Sequence, residues 1–193
     1  MPAETRDRIM TATAELFRRR GYTGTGLKQI VAEASAPFGS VYHFFPRGKE
    51  QLGEEVIRWS GGLYGKLIDS LFDPAPDLES AVEFAFRGAG ETLVETDYAD
   101  ACPIATVALE VASTNETLRI ATHEVFESWL ANLHGRFVEA GLPAERARTL
   151  SQTLLMLLEG AFILCRASRS TEAMAAAGDA AVAEVRRAFA STA

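Results

Sequence analysis

Apolar residues recur along this chain at intervals of three and four nearly throughout, and no stretch alternates apolar with polar residues between turn signals as a strand does. The pattern predicts an all-α protein. A first helix is expected over residues 4–20, where Ile9, Ala12, Leu16 and Phe17 fall near one face. Thr13 is the polar exception on that face, and Gly21 follows three arginines as a helix-ending glycine. A short second helix is expected over residues 27–34, after Thr25 and Gly26, either of which can act as its N-cap. Pro37 forces a break, a third short helix is expected over residues 38–45, and Pro46 closes it. The Arg47-Gly48 turn then leads into a long fourth helix that starts near Lys49.

The Asp73-Pro74-Ala75-Pro76-Asp77 segment interrupts the pattern. Helices are expected beyond it over about 78–96, 103–113, 116–140, 143–168 and 172–190. No internal repeat is present, and the one biased segment, 173–183, reads as an alanine-rich helix.

Composition narrows the class. At 193 residues with 48% hydrophobic and 23% charged content the chain is an ordinary globular one, which excludes disordered and fibrous classes. No run approaches the roughly 18 to 20 consecutive apolar residues of a membrane span, and residues 1–8 are polar where a secretion signal is apolar, so a cytoplasmic protein without a membrane partner is expected. Cys102 and Cys165 stand far apart, without a C-x-x-C spacing, and read as small buried hydrophobes, not as a disulfide or a zinc site.

An enzyme is the rival reading. Its best metal candidate is His123 with Glu127 one turn on, helped by Glu124, but a third ligand is not identifiable and an exposed helix face is the better account. No phosphate-binding glycine loop or nucleophile elbow occurs either. No cofactor, metal or catalytic residue is therefore expected. A second rival is a helical interaction protein that never touches DNA.

The net charge of −7 is unevenly placed. Residues 1–49 hold eight basic side chains against four acidic ones, a net +4, while the remainder holds 11 against 22, a net −11. A basic head on an acidic body suits contact with a polyanion at one end only. The head also has the right shape. Two short helices joined by a tight turn, the second stopped by proline, match the arrangement in which the second helix enters a major groove while the first braces it. The exposed front of the third helix, Pro37, Phe38, Gly39 and Ser40, is then placed to read bases, with Phe38 available to a thymine methyl. Thr25 can add a hydroxyl donor at the start of the second helix.

Residues 5–56 resemble the DNA-binding domain of the tetracycline-repressor (TetR) family of bacterial regulators. The resemblance rests on Ile9-x-x-Ala12-x-x-x-Leu16-Phe17, on Gly21-Tyr22, on TGLKQIVA from Thr25, and above all on GSVYHFFPRGKEQL from Gly39 to Leu52. It implies that Lys28, Tyr42, His43 and Lys49 hold phosphates. Each of them carries a donor, and Lys49 opens a helix whose free N–H groups also favour an anion. Ser35 stands where the family usually has a turn glycine, and Gly26 where a hydroxyl residue is common.

The segment ACPIATVALEVAS, residues 101–113, together with FPRGKEQL, resembles a multidrug- and flavonoid-responsive subgroup. That likeness implies an apolar, often aromatic inducer. Trp59, Leu63, Phe84, Cys102, Ile104, Val107, Phe126, Trp129, Leu133, Met156 and Phe162 can line such a pocket, with Glu110 and Asn132 to orient the ligand, although the same side chains suit a solid core. Stripes on the last two helices, Leu150, Leu154, Leu157, Ala161 and Leu164 with Val182, Val185 and Phe189, are expected to form a four-helix dimer interface. The chain thus reads as a three-helix helix-turn-helix domain over 1–48 and a helical ligand-binding and dimerisation domain over 49–193. Its expected partners are a double-stranded DNA operator, a small-molecule inducer and a second copy.

Overall fold

The computed structural model describes residues 2–190, and among them it holds nine helices and no strand. They are α1 (Pro2–Arg20), α2 (Leu27–Glu33), α3 (Gly39–Phe44), α4 (Lys49–Phe72), α5 (Leu78–Glu95), α6 (Pro103–Val111), α7 (Glu116–Glu139), α8 (Ala144–Ser168) and α9 (Glu172–Ala190). Every helix expected from periodicity is present. The ends move by a residue or two because flanking residues serve as caps: Phe38 precedes α3, and Pro143 precedes α8.

Two compact units emerge. One comprises the chain up to Leu63 with Cys102–Phe126, the other the stretch from Tyr64 to Ala101 with the chain from Glu127 onward. Helices α4 and α7 contribute to both.

In the first unit α1 is the hub, packing on α2, α3 and α6. Ile9, Ala12, Leu16 and Phe17 are all buried, and Thr13 among them is satisfied because its hydroxyl donates to the Ile9 carbonyl at 2.7 Å. Small residues let α4 and α7 approach closely. A Cβ added at Gly61 would lie 2.5 Å from both methyls of Val125, so no side chain fits there without displacing a helix. Polar pairs run beside this contact: Asn115 donates to Glu50 at 2.9 Å, and Arg58 pairs with Glu124.

In the second unit the alanine-rich α9 lies against both α5 and α8. Its buried positions are Met174, Ala177, Gly178, Ala181 and Val185, small enough that Phe86 of α5 rests against Gly178, where a Cβ would stand 3.1 Å from the phenylalanine's own Cβ. Leu150, Leu154, Ala161 and Cys165 of α8 and Leu133 and Phe137 of α7 complete this core. Cys102 and Cys165 are both buried thiols, and neither is in a disulfide.

This packing corrects part of the expected dimer seam. Leu150, Leu154, Ala161 and Val185 are 2–5% exposed and lie inside the protomer, because that face of α8 and α9 is the one the protomer's own helices cover. Leu157, Val182 and Phe189 flank the same core, and Leu164 is exposed. The opposite side of α8 is apolar too, and Met156, Ile163 and Leu164 are 58–66% exposed.

Arg136 of α7 ties the end of α4 into the second unit. It pairs with Asp69 at 2.8 Å and with Asp73 at 2.7 Å, and its guanidinium lies over the Phe72 ring. Asn132 donates to Asp69 at 2.7 Å and accepts from Arg136 at 2.8 Å. The bonds from Asn132 and then Arg136 hold the Asp69 carboxyl below its ordinary value. A depressed folded value contributes stability above the unfolded carboxylate's 3.8, and that contribution disappears as pH falls through the folded value. Asp69→Asn should therefore be less stable than wild type near neutrality and show a shallower acid limb. Urea melts across the range below the ordinary carboxylate value check this; coincident acid limbs would contradict it.

Candidate nucleic-acid interface

The head is assembled around two left-handed residues. Gly21 ends α1 at φ +69°, and Ser35 ends α2 at φ +47°, the conformation for which glycine is the usual choice. Serine fills the role at the second corner because its short side chain tolerates that region, and the turn is closed by Ser35 N–H to Ala32 at 3.2 Å and Ala36 N–H to Val31 at 2.9 Å. Then α3 follows, held down by fully buried Val41 and, just after it, by fully buried Phe45, over whose ring Arg6 is stacked.

Beside buried Val41 and Phe45, the start of α3 and its Tyr42-His43 pair face solvent. Phe38 and Tyr42 are 45% and 52% exposed and meet edge to face at 6.0 Å between centroids. Pro37, Gly39 and His43 are exposed with them, and Ser40 is half-buried. Lys28 on α2 is exposed as well. The residues expected to read bases and most of those expected to hold phosphates are thus brought to the first unit's surface together.

Two depart from expectation. Thr25 is fully buried, and its hydroxyl donates to the Gly21 carbonyl at 2.7 Å, so it stitches the α1–α2 link instead of facing outward. It is not the N-cap either: Gly26 takes that place and has no side chain to offer. Lys49 is half-buried, its ammonium donating to the Tyr22 carbonyl at 2.6 Å and lying 4.2 Å from the centre of the Tyr22 ring. Burial pulls its pKa below the ordinary lysine value, against the opposing charge of Glu110.

The basic excess is also smaller in space than along the chain. Arg47 pairs with Glu54 at 2.8 Å and Arg6 pairs with Glu55, both carboxylates standing on α4 just past the boundary at which the head's charges were counted. Their place within two turns of Lys49 is a signal in the sequence that they stay close to the head.

The expected pocket residues are scattered. In the first unit Cys102, Ile104 and Val107 are buried, Phe126 is half-buried, and Trp59 and Leu63 are 41% and 47% exposed. The Cys102 sulfur caps α6 by accepting from Ala105 N–H. Glu110, expected to orient a ligand, has a carboxylate that accepts from Thr23 N–H at 2.7 Å. In the second unit Trp129 and Leu133 are buried, Phe84 and Phe162 half-buried, and Met156 exposed. Asn132 belongs to the Asp69–Arg136 cluster. A groove of about 870 Å³ between α5 and α9 contains none of these residues and is lined by, among others, Phe86, Met174 and Val182.

A short helix presenting exposed aromatics, packed on α1 as α2 is, matches the arrangement of a DNA-binding helix-turn-helix. Residues 9–56 match the family described as bacterial regulatory proteins, tetR family, and residues 79–180 match the C-terminal domain of LmrA/YxaF-like transcriptional regulators. The chain is 34% identical over 161 residues to the uncharacterized HTH-type transcriptional regulator YxaF of Bacillus subtilis (strain 168), covering 83% of this chain and 84% of that one. It is 28% identical over 168 residues to the HTH-type transcriptional regulator LmrA of the same organism, covering 87% and 89%. The solved structure of regulatory protein TetR from Rhodobacter sphaeroides shares the fold, with a TM-score of 0.82 at 21% identity over 92% of this chain and 97% of that one. The protein belongs to the TetR family: it is a transcriptional regulator with a DNA-binding helix-turn-helix, and not an enzyme.

Thr25→Val, which keeps the shape and removes the buried hydroxyl, should cost about 1 kcal/mol of stability, the usual net worth of one hydrogen bond. The folded variant should bind DNA as wild type does. A melt and a titration with genomic DNA separate the two effects, and a tenfold loss of affinity with unchanged melting would place the hydroxyl on a phosphate instead.

Proposed function

We propose that the protein is a cytoplasmic repressor that binds a palindromic operator as a homodimer and leaves it when a small apolar or aromatic inducer binds. The observation that carries the DNA half is the exposed Phe38–Tyr42 pair on a helix anchored by buried Val41 and Phe45. Two exposed aromatics in contact form an apolar patch of the kind that marks a binding surface. Residues 1–48 are the DNA-binding part, with Lys28, Tyr42 and His43 on phosphates and Pro37, Phe38, Gly39 and Ser40 at the base edges. Residues 49–193 bind the inducer and dimerise, although 49–63 and 102–126 pack in the same compact unit as the head. Repression is the commoner mode in the family.

One short helix reads only a few base pairs, so two copies are needed, presented to half-sites about 34 to 36 Å apart. The exposed side of α8 supports this: a helix apolar on both sides is covered on both sides in the working state. The inducer's chemistry is supported by the second unit, where buried Trp129 packs beside half-buried Tyr64 at 6.1 Å between centroids and Phe162 lies against the core. An inducer acts here only through unequal affinity for two states, and a coupling of about 1 to 3 kcal/mol changes DNA affinity roughly 5 to 150-fold.

Selection of genomic fragments by the purified protein tests the reading and yields the operator. On that operator, Lys28→Ala should weaken binding on all sequences alike and lower the slope of log affinity against log salt by about one, whereas Phe38→Ala should change the preferred base. An unchanged slope in Lys28→Ala would remove that lysine from the phosphate set.

Ile163→Glu should yield folded monomers, because two such carboxylates would meet at the seam, whereas Ala161→Glu should unfold the protomer by burying a charge in its own core. Sedimentation of both variants, with circular dichroism, distinguishes them; a dimeric Ile163→Glu protein at micromolar concentration would place the interface elsewhere.

A further inference from the structure

Residues 21–26, which link α1 to α2, leave the helices on both sides and turn sharply at Gly21. Most of this link's polar groups are satisfied from close by. Gly21 N–H donates to Phe17, Thr25 N–H to Tyr22, and the Thr25 hydroxyl to Gly21. Thr23 N–H is different, since it donates to Oε2 of Glu110, a residue 87 positions away near the end of α6. The other carboxylate oxygen presses against the Gly21 α-carbon, at a spot where an added Cβ would fall 1.7 Å from it. Glu110 thus holds both limbs of the turn. Lys49 holds the Tyr22 carbonyl between them from α4.

A carboxylate is an unfavourable choice for a surface that must approach phosphates. Two effects of Glu110 therefore oppose one another: its charge repels DNA, while its hydrogen bond fixes the link that aims α2 and, through it, α3. Magnitudes decide. A charge acting through solvent is screened within about 8 Å at physiological salt, whereas losing a charge-assisted hydrogen bond shifts an equilibrium roughly tenfold or more.

Resting on the DNA-binding role of the head, we propose that Glu110 is a positioning residue for operator binding. It touches neither DNA nor inducer, and acts by clamping the Gly21–Thr23 turn so that α2 and α3 keep the spacing the major groove requires. Helix α6 is thereby part of the DNA-reading apparatus, although it lies outside the three helices that form the motif.

The test compares Glu110→Ala and Glu110→Gln with wild type, using the operator fragment that wild type selects, at several salt concentrations, and following amide exchange at Thr23 without DNA. Glutamine removes the charge and keeps an acceptor. The clamp predicts about tenfold weaker binding for Glu110→Ala, corresponding to one lost charge-assisted bond, and a Glu110→Gln protein within about threefold of wild type. It also predicts an unchanged salt slope in both, because no phosphate contact is lost. Thr23 exchange should quicken markedly in Glu110→Ala and little in Glu110→Gln. Tighter binding by both variants would mean that charge alone matters and would overturn the proposal, as would a Glu110→Ala protein with wild-type affinity. A fall in the salt slope would assign Glu110 to the phosphate contacts indirectly and also overturn it. If wild type selects no fragment, the DNA-binding reading fails instead, while the exchange at Thr23 still reports whether the clamp exists.

Discussion

The turn at Gly21 is the constraint on which the head depends. A chain leaving α1 must reverse within a few residues to lay α2 across it, and a left-handed residue with no side chain is the shortest way to do so. That choice frees the space beside the α-carbon, and the Glu110 carboxylate occupies it. The Thr25 hydroxyl, the Lys49 ammonium and the Glu110 carboxylate then hold three successive parts of one short link. Two of these three side chains come from helices outside the motif, so the recognition surface is rigid only as part of the larger compact unit that includes α6 and the first half of α7.

The fold was legible because it is written in local signals. Periodicity, Gly21, Pro37, Pro46 and the 73–77 break each act within a turn or two of where they stand, and they place the helices to within a residue or two. The split within α3 was not legible from periodicity: Phe38, Val41, Tyr42 and Phe45 stand at i, i+3, i+4 and i+7, a spacing that marks one helical face, yet Val41 and Phe45 are buried and Phe38 and Tyr42 are exposed. Lys49 and Thr25 were read as outward donors because chemistry and position in the chain suit that role, but neither reveals that a backbone carbonyl stands within hydrogen-bond reach of each. Glu110 carried no signal at all, since its partners lie nearly ninety residues away and carboxylates on helices are common.

Part of the C-terminal stripes was misassigned for a different reason. Helices α8 and α9 both carry enough apolar residues to cover more than one face, and periodicity identifies a face without saying what covers it. The stripe with the strongest repeat, Leu150 through Ala161, went to the protomer's own core, and the weaker one, Met156 with Ile163 and Leu164, was left outside. The same ambiguity left core and pocket unresolved among the residues expected to line a ligand site. Size and apolarity mark Ile104, Val107 and Trp129 as interior residues but say nothing about whether space remains beside them.

That second face of α8 ties folding to dilution. A protomer alone holds Met156, Ile163 and Leu164 in water, so a surface that covers them adds its binding free energy to the stability of the chain, by mass action and in proportion to the logarithm of the covering partner's concentration. Where the covering surface is a second copy, as proposed, the abundance of the protein in the cell sets how many copies are available to hold DNA and also how long each survives. Scarcity makes the chain more vulnerable to unfolding and proteolysis, and abundance protects it, so the count of working molecules rises more steeply than the rate of synthesis.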